Sequence, residues 1–206
     1  MELTLSQKDA VTELINIGYG RAAGALSELT GYRIMLEVPE VTMHEIDAIG
    51  PLLESRINRD VASVNQVFSG PVSGNALLLL DQTSALVLSH LLSDEQGVSE
   101  EFDTNAKEII TEVGNIVLNA CLGVFGNLLQ VQVTFSVPRL HIENVTRVLR
   151  TVINNADEPL SYGLMIHTRF RVKAGNVTGY MVIVLGIASL DRLLLELSRW
   201  ESRQLK

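Results

Sequence analysis

The sequence DAVTELIN at residues 9–16 and the sequence EIITEVGN at residues 108–115 are two copies of one pattern, ninety-nine positions apart. In each copy an acidic residue is followed four positions later by Glu and three positions after that by Asn, and a Pro follows twenty-three positions after the Asn. A shared core explains apolar residues that recur in a duplicated chain. It explains less easily a Glu and an Asn that recur on the expected polar face of a helix, so these positions favour a function. The matched residues are Asp9, Glu13, Asn16 and Pro39 in the first copy, and Glu108, Glu112, Asn115 and Pro138 in the second.

Each copy of the motif is predicted to lie on the polar face of an amphipathic helix. The first helix is predicted to run from about Ser6, as its N-cap, to Leu29, with Gly31 as its C-terminal stop. Because successive helical residues turn by about 100°, the apolar side chains gather on one face and the motif residues on the other. The predicted buried stripes are Val11, Leu14, Ile15, Gly18, Ala22, Ala25, Leu26 and Leu29 in the first copy, and Ile110, Val113, Gly114, Val117, Cys121, Val124, Phe125 and Leu128 in the second.

A predicted strand follows each helix, over residues 32–38 and 131–137, and each ends at the motif Pro, which has no N–H to donate. After a variable connection, each half continues with two strands joined by a hairpin turn and then a closing helix. The predicted segments are strands 62–69 and 74–81, a turn at Ser69–Gly74 and a helix at Gln82–Leu92 in the first half, and strands 160–173 and 179–186, a turn at 173–176 and a helix at Ile187–Trp200 in the second.

The predicted fold class is α+β, with a single domain over residues 1–206. Its two homologous halves, about residues 1–97 and 98–206, each consist of helix, strand, connection, strand, strand and helix. The acidic segment Ser93–Asp103 is too short for a flexible linker between separate domains. The halves are therefore expected to share one mixed sheet with pseudo-twofold symmetry.

The composition indicates a soluble protein of the cytoplasm. Of 206 residues, 47% are apolar and 19% are charged, and a net charge of −8 without a basic cluster argues against binding to nucleic acid or an anionic membrane. The single Cys121 rules out an intrachain disulfide and fits a reducing compartment. No signal peptide is expected, and the longest apolar run, Tyr180–Ala188, is too short to span a bilayer.

Other kinds of site fit the sequence poorly. The four histidines, at positions 44, 90, 141 and 167, are scattered, so no metal site is expected. The glycines of residues 18–24 lie inside the first helix rather than between a strand and a helix, which argues against a dinucleotide loop. Cys121 is expected to face the core as an inert side chain. A single Glu-x-x-Asn is most often an ordinary solvated pair, but two copies in register favour a function.

The chemistry open to an exposed Glu and Asn is to dock a partner and to position a water molecule. An Asn side chain has a carbonyl acceptor and two amide donors, enough to hold and direct a water. A Glu carboxylate pairs with a cation. On an exposed helix the two form a ridge, which suits insertion into another protein's cleft better than binding of a small substrate. Such a ridge fits hydrolysis of a phosphoryl group that the other protein's Mg²⁺ already polarises.

The paired motif resembles that of the CheC/CheX/FliY family of CheY-phosphate phosphatases, in which an Asp or Ser is followed at this spacing by Glu, Asn and Pro. The first copy matches fully, and the second has Glu108 in place of the Asp or Ser. The chain is most similar to the CheC members, because it has two motif copies and neither an N-terminal switch-binding peptide nor a C-terminal flagellar-switch domain is expected. The resemblance extends over essentially the whole chain.

The resemblance implies a protein phosphatase that hydrolyses the aspartyl-phosphate of the chemotaxis response regulator CheY. Glu13 and Glu112 would each pair with a lysine of CheY, and Asn16 and Asn115 would each orient the attacking water. The Mg²⁺ would belong to CheY, so neither a cofactor nor a metal is expected on this chain. The supporting motif positions would be Asp9, Pro39, Glu108 and Pro138.

The resemblance further implies the receptor deamidase CheD as a partner, and the internal duplication favours a monomer. Two alternatives remain open: a non-enzymatic chemotaxis or flagellar-switch-like adaptor that binds CheY-phosphate, CheD or both, and a duplicated structural domain without a phosphorylated partner. Both sites are expected to be competent, although the second helix has Val117 and Asn119 where the first has Gly18 and Gly20. The bulk of Asn119 could crowd an incoming cleft.

Overall fold

The computed structural model of the protein describes residues 3–57, 60–93, 102–130, 132–156, 158–172 and 175–204. Helices and strands follow one another in two similar series within these residues. The first half contains α1 (Leu5–Thr30), β1 (Ile34–Glu45), α2 (Ile46–Glu54), β2 (Asp60–Ser69), β3 (Gly74–Asp81) and α3 (Gln82–Leu92). The second half contains α4 (Thr104–Leu129), β4 (Thr134–Phe135), β5 (Arg139–Asn144), α5 (Val145–Asn154), β6 (Tyr162–Val172), β7 (Gly175–Leu185) and α6 (Ile187–Gln204).

The strands of both halves form one sheet in the order β1-β6-β7-β3-β2-β4, with β5 also paired to β2. β3 and β7 pair at the centre and join the halves. The outer strands are exchanged between the halves, because β1 pairs with β6 of the second half and β5 pairs with β2 of the first. This arrangement has the predicted pseudo-twofold symmetry, and the α+β class is confirmed.

The prediction of a mixed sheet is wrong, because every strand pair in the described part of the chain is antiparallel. The hairpins β2–β3 and β6–β7 are antiparallel because a short turn reverses the chain. The pseudo-twofold relation between the halves makes the central pair β3–β7 antiparallel as well. A parallel neighbour would need a long crossover connection.

Helices cover both faces of the sheet. α1, α3, α4 and α6 pack on one face and form the larger core. α2 and α5 pack on the opposite face, over a smaller core that contains Ile49, Leu53, Val148 and Leu149. Because the central strand β3 is covered on both sides, its residues from Gly74 to Leu80 are all buried rather than alternately exposed.

The variable connection of each half contains a helix that the sequence interpretation missed. The N-cap of α5 is Asn144, whose side chain accepts a hydrogen bond from the backbone N–H of Thr146. This cap and the helical spacing of the buried residues are a sufficient signal for α5. The signal for α2 is weaker, because α2 is short and contains Pro51. The buried residues of α5 are Val145, Val148, Leu149 and Val152.

Neither motif Pro ends a strand as predicted. β1 continues beyond Pro39, because the register against β6 shifts between Glu37 and Glu40 so that two residues oppose one. Such a bulge interrupts the ladder and accommodates a Pro, which has no N–H to donate. In the second half the predicted strand 131–137 is reduced to the two residues of β4, and pairing with β2 resumes after Pro138 as β5.

The ends of α1 differ in detail from the prediction. Gly31 ends the helix with φ of 69°, as expected, but Thr4 rather than Ser6 is the N-cap, because Thr4 and Gln7 form a reciprocal capping box. Ala25 and Leu29 are exposed rather than buried, since the buried stripe narrows where α1 reaches the edge of the core.

Several predictions fall outside the described residues: the strand start at residue 131, the boundary between the halves and most of the acidic segment at 94–101, residues 173 and 174 of the second turn, and the side chain of Leu128.

α4 matches a membrane-spanning helix in length and composition over the 24 residues Thr104–Asn127. In the fold, 56% of its most apolar window is buried. Its apolar character follows from its position, because α4 packs on α1, α3, α6 and the sheet. α4 is therefore a core helix of a soluble fold.

A buried hydrogen bond connects α1 to the sheet. The hydroxyl oxygens of Tyr19 and of Thr168 on β6 are 2.5 Å apart, and both side chains are fully buried. Burial raises the pKa of the Tyr19 phenol, so the phenol stays protonated as a donor. The bond therefore fixes the position of α1, the helix that carries the first motif.

Tyr19→Phe is expected to lower the free energy of unfolding by about 1–2 kcal/mol, because the buried hydroxyl of Thr168 loses a partner. Thr168 would keep only its longer hydrogen bond, of 3.3 Å, to the carbonyl of Ile166. Tyr32→Phe is the matched control, since the Tyr32 side chain is 44% exposed, and we expect a change below about 0.5 kcal/mol. Urea unfolding measures both variants, and equal midpoints would contradict this role of the bond.

Candidate functional site

The two motif helices cross where Gly18 of α1 meets Cys121 of α4. A Cβ atom on Gly18 would lie 2.8 Å from the Cα of Cys121, so this close approach requires glycine. Away from the crossing, Leu29 near the end of α1 borders the same groove as Glu108 near the beginning of α4. The helices are therefore antiparallel, and the two motifs lie toward opposite ends of the pair.

The first motif is exposed on α1. Asp9, Glu13 and Asn16 lie on its solvent side, with Glu13 and Asn16 about one turn apart. Within the described residues, the side chains of Glu13 and Asn16 make neither a hydrogen bond nor an ion pair. Gly20, one turn beyond Asn16, leaves open space where a Cβ would stand. Both the carboxylate and the amide are available to a partner.

The second motif carries the same two residues in a hydrogen-bonded state. Glu112 is exposed and Asn115 is half-buried. The Asn115 Nδ2 donates to Oε2 of Glu112 at 3.3 Å, and the Asn115 Oδ1 accepts from Nδ2 of Asn119 at 2.5 Å. The Nε2 of Gln66 on β2 donates to Oδ1 of Asn119 at 3.0 Å and to the backbone carbonyl of Ser136 at 3.0 Å. A chain of side-chain amides thus connects the sheet to Glu112.

The side chain of Asn119 is hydrogen-bonded to β2 through Gln66. Its side chain is half-buried and bonds to Gln66 on one side and to Asn115 on the other. These bonds hold the Asn119 amide between Gln66 and Asn115, and the expectation that its bulk could crowd an incoming cleft stays a prediction. The buried Nε2 of Gln66 donates a hydrogen bond to Oδ1 of Asn119 and so fixes the position of the Asn119 amide.

The sequence interpretation missed Gln66, although a signal exists. β2 is largely apolar and buried, yet Asn65 and Gln66 are adjacent polar residues within it. Gln66 is only 1% exposed, and a buried amide in a strand requires partners. The partners themselves, Asn119 and Ser136, are far away in the sequence and could not be identified from the pattern.

The supporting motif positions lie around the two pairs. Asp9 and Glu108 are exposed one turn before the motif Glu of each helix. Pro39 lies at the bulge of β1, and Pro138 lies between β4 and β5, two residues after the Ser136 carbonyl that accepts from Gln66. The structure therefore brings Glu and Asn together within each motif and keeps the two motifs apart.

A groove runs beside the acidic residues of the second motif. Its walls are largely apolar, and Leu29 on one wall is 64% exposed. Glu108 and Glu112 lie along the same groove. This combination suits a protein surface that presents a basic side chain beside apolar ones. The apolar lining residues are Leu26, Leu29, Leu92, Ile109 and Val113.

The one cysteine is not available as a nucleophile. Cys121 is fully buried at the helix crossing, and burial raises the pKa of its thiol well above the usual range. In the part of the chain that the structure describes, no three His, Cys, Asp or Glu side chains come together as a metal site. Glu13, Asn16 and Glu112 are exposed on the two motif helices, and Asn115 is half-buried.

Comparison with known proteins supports the motif. The sequence profile of the CheC-like family matches residues 7–43, a segment that contains the whole first copy. The flagellar motor switch phosphatase FliY of Bacillus subtilis (strain 168) is 21% identical over 178 residues. This alignment covers 85% of the present chain and 45% of FliY, so the chain spans less than half the length of that relative.

The fold is shared with solved flagellar proteins. Thermotoga maritima FliY has a TM-score of 0.77 at 20% identity, over 97% of this chain and 100% of that chain. A chain of the FliG–FliM complex from H. pylori has a TM-score of 0.63 at 14% identity, over 93% of this chain and 99% of that chain. At such identities the likeness shows the fold alone. The CheC-like profile over the first motif, the similarity to FliY and the shared fold together support an assignment to the CheC-like family.

Proposed function

We propose that the protein is a phosphatase that hydrolyses the aspartyl-phosphate of a CheY-type response regulator. The observation that carries this proposal is the exposed pair Glu13 and Asn16, which lies one helical turn apart and has no partner within the described residues. The pair recurs as Glu112 and Asn115 on the second helix. Two polar side chains on the exposed face of a helix are suited to enter the site of another protein.

In this mechanism each Glu docks the regulator and each Asn positions a water. The Glu13 or Glu112 carboxylate accepts hydrogen bonds from a lysine ammonium of the regulator. The Asn16 or Asn115 carbonyl oxygen accepts from a water placed in line with the phosphorus–oxygen bond to the aspartate. Attack by the water forms a new phosphorus–oxygen bond and breaks the bond to the aspartate. Inorganic phosphate and the free aspartate carboxylate result, and the proton of the water passes to phosphate or solvent.

The regulator supplies the remaining catalytic groups. We assign the Mg²⁺ that neutralises charge on the phosphoryl group to the regulator. No covalent intermediate forms on this chain, because Glu and Asn act by contact and orientation alone. The groove beside Glu112 offers an apolar surface for the regulator next to the docking carboxylate. The name of the Bacillus relative, a flagellar motor switch phosphatase, supports the same activity.

The test is phosphate release from a regulator phosphorylated with a small-molecule phosphodonor in the presence of Mg²⁺. We expect substoichiometric amounts of the protein to accelerate release well above spontaneous hydrolysis, because each site turns over. A regulator whose phosphorylated aspartate is replaced by alanine serves as the control for contaminating phosphatases. Release at the spontaneous rate would contradict the proposal.

A second function, a non-enzymatic adaptor in chemotaxis or the flagellar switch, is favoured by the fold shared with the FliG–FliM complex chain. It predicts binding of the phosphorylated regulator, or of CheD, without turnover. Binding measured by calorimetry that stays unchanged in Asn16→Ala plus Asn115→Ala, together with no phosphate release, would support the adaptor over the phosphatase. CheD is in either case a proposed partner, and the proposed location is the cytoplasm.

A further inference from the structure

The chain of amides at the second site has a defined direction. The Ser136 carbonyl and the Glu112 carboxylate, at its two ends, can only accept hydrogen bonds. Gln66 must therefore point its NH₂ group at Ser136, and its second N–H then meets an acceptor, Oδ1 of Asn119. The same logic points Nδ2 of Asn119 at Oδ1 of Asn115, and Nδ2 of Asn115 at Glu112. Reversing any one amide would place two acceptors or two donors in contact.

This chain orients Asn115 without using up its hydrogen-bonding capacity. An Asn oxygen has two lone pairs and an Asn nitrogen has two hydrogens, so one acceptor site and one donor of Asn115 remain free. A carboxylate accepts at about four positions, and Glu112 uses one of them for Asn115. The second site can therefore still bind a lysine and a water. Its Asn is held in one orientation, whereas Asn16 must lose rotamer freedom when it binds.

We infer that Asn119, anchored on Gln66, is a positioning residue that preorganises Asn115 for water orientation at the second site. The inference rests on the proposed phosphatase function. The first site lacks a hydrogen-bonding side chain at this position, because Gly20 corresponds to Asn119 and leaves open space. The duplicated sites thus differ in preorganisation while sharing the same Glu and Asn.

The kinetic test uses Asn119→Asp in an Asn16→Ala background, in which only the second site is active. Aspartate has the size of asparagine and still accepts from Gln66, but it cannot donate to Asn115. We expect kcat for the phosphorylated regulator to fall about five- to tenfold, the effect of one lost orienting hydrogen bond. KM is expected to change less than about twofold, because the docking carboxylate of Glu112 is retained.

The matched control is Asn127→Asp in the same background. Asn127 is exposed on the same helix, roughly 18 Å along the axis from Asn115 by the helical rise. It introduces the same charge without touching the amide chain, so kcat is expected to stay unchanged. An unchanged kcat in Asn119→Asp, or an equal fall in Asn127→Asp, would overturn the inference.

A second readout does not depend on activity. NMR order parameters of the side-chain NH₂ groups should show Asn115 more rigid than Asn16 in the wild-type protein, and Asn119→Asp should make Asn115 as mobile as Asn16. An Asn115 as mobile as Asn16 in the wild-type protein would overturn the inference. A wild-type protein without phosphatase activity would instead overturn the proposed function, and the catalytic part of the inference with it. An active wild type whose second site is inert would overturn the inference alone.

Discussion

The double substitution Asn16→Ala plus Asn115→Ala is expected to reduce phosphatase activity by about 100-fold or more, because each site loses the group that holds the water in line. Asn16→Ala is expected to change stability by less than about 1 kcal/mol, since the Asn16 side chain makes no described hydrogen bond and alanine is a better helix former than asparagine. Asn115→Ala is expected to cost about 1–2 kcal/mol, because Nδ2 of Asn119 loses its acceptor. Phosphate release from the phosphorylated regulator measures the first quantity, and urea unfolding measures the second. Each single variant should retain activity through the other site.

The control for the double substitution is Asn127→Ala, the same change at an exposed position of α4 outside the motif. It should leave both activity and stability close to wild type. Full activity in the double variant would show that neither amide orients the water. An equal loss in the control would show instead that the fold of α4 responds to any substitution of this kind.

Gly18→Val is expected to destabilise the protein by about 3 kcal/mol or more, because the added side chain would overpack the helix crossing. The first added atom alone would lie 2.8 Å from the Cα of Cys121 and 3.0 Å from its Sγ. The backbone cannot yield there without moving α4 away from α1. Thermal and urea unfolding both report this loss. Because both motifs lie on these two helices, regulator affinity at both sites is expected to fall as well.

Gly24→Val is the matched control, because it makes the same change on the same helix where a Cβ meets nothing within 4 Å. Valine is slightly better than glycine in a helix, so the change is expected to be stabilising by less than about 0.5 kcal/mol. Adding Cys121→Ala to Gly18→Val removes the sulfur contact but not the contact with Cα, so only partial recovery is expected. Equal stability of Gly18→Val and Gly24→Val would contradict the role of the crossing.

The periodic parts of the structure could be predicted because they depend on local spacing. The polar face of α1 and the burial of Val11, Leu14 and Ile15 follow from the helical period, and the hairpin at Ser69–Gly74 follows from its turn residues. The exposure of Glu13 and Asn16 follows from the same period. For α1, the prediction of buried residues is wrong only at Ala25 and Leu29, which lie where the helix reaches the edge of the core.

The parts that escaped prediction depend on contacts between distant segments. A bulge that lets β1 pass Pro39 depends on the register against β6, which begins more than a hundred residues later. The state of Asn115 depends on Gln66, on β2 of the first half, and on Ser136, in the segment between β4 and β5 of the second half. The residue spacing within α4 does not indicate that Gln66 or Ser136 lies nearby. Sequence alone therefore shows that the copies differ at Gly20 and Asn119, but the effect of this difference on Asn115 depends on packing between distant segments.

The exchange of outer strands has a consequence for how the two sites can be separated. β1 pairs with β6 and β5 pairs with β2, so each half contributes an outer strand to the part of the sheet formed by the other half. The arrangement resembles a strand-swapped homodimer fused into a single polypeptide, in which neither half alone contains all the strands of its part of the sheet. Excising one half would therefore remove the support of both motif helices, so point substitutions on the surface are the way to test one motif while the other stays intact.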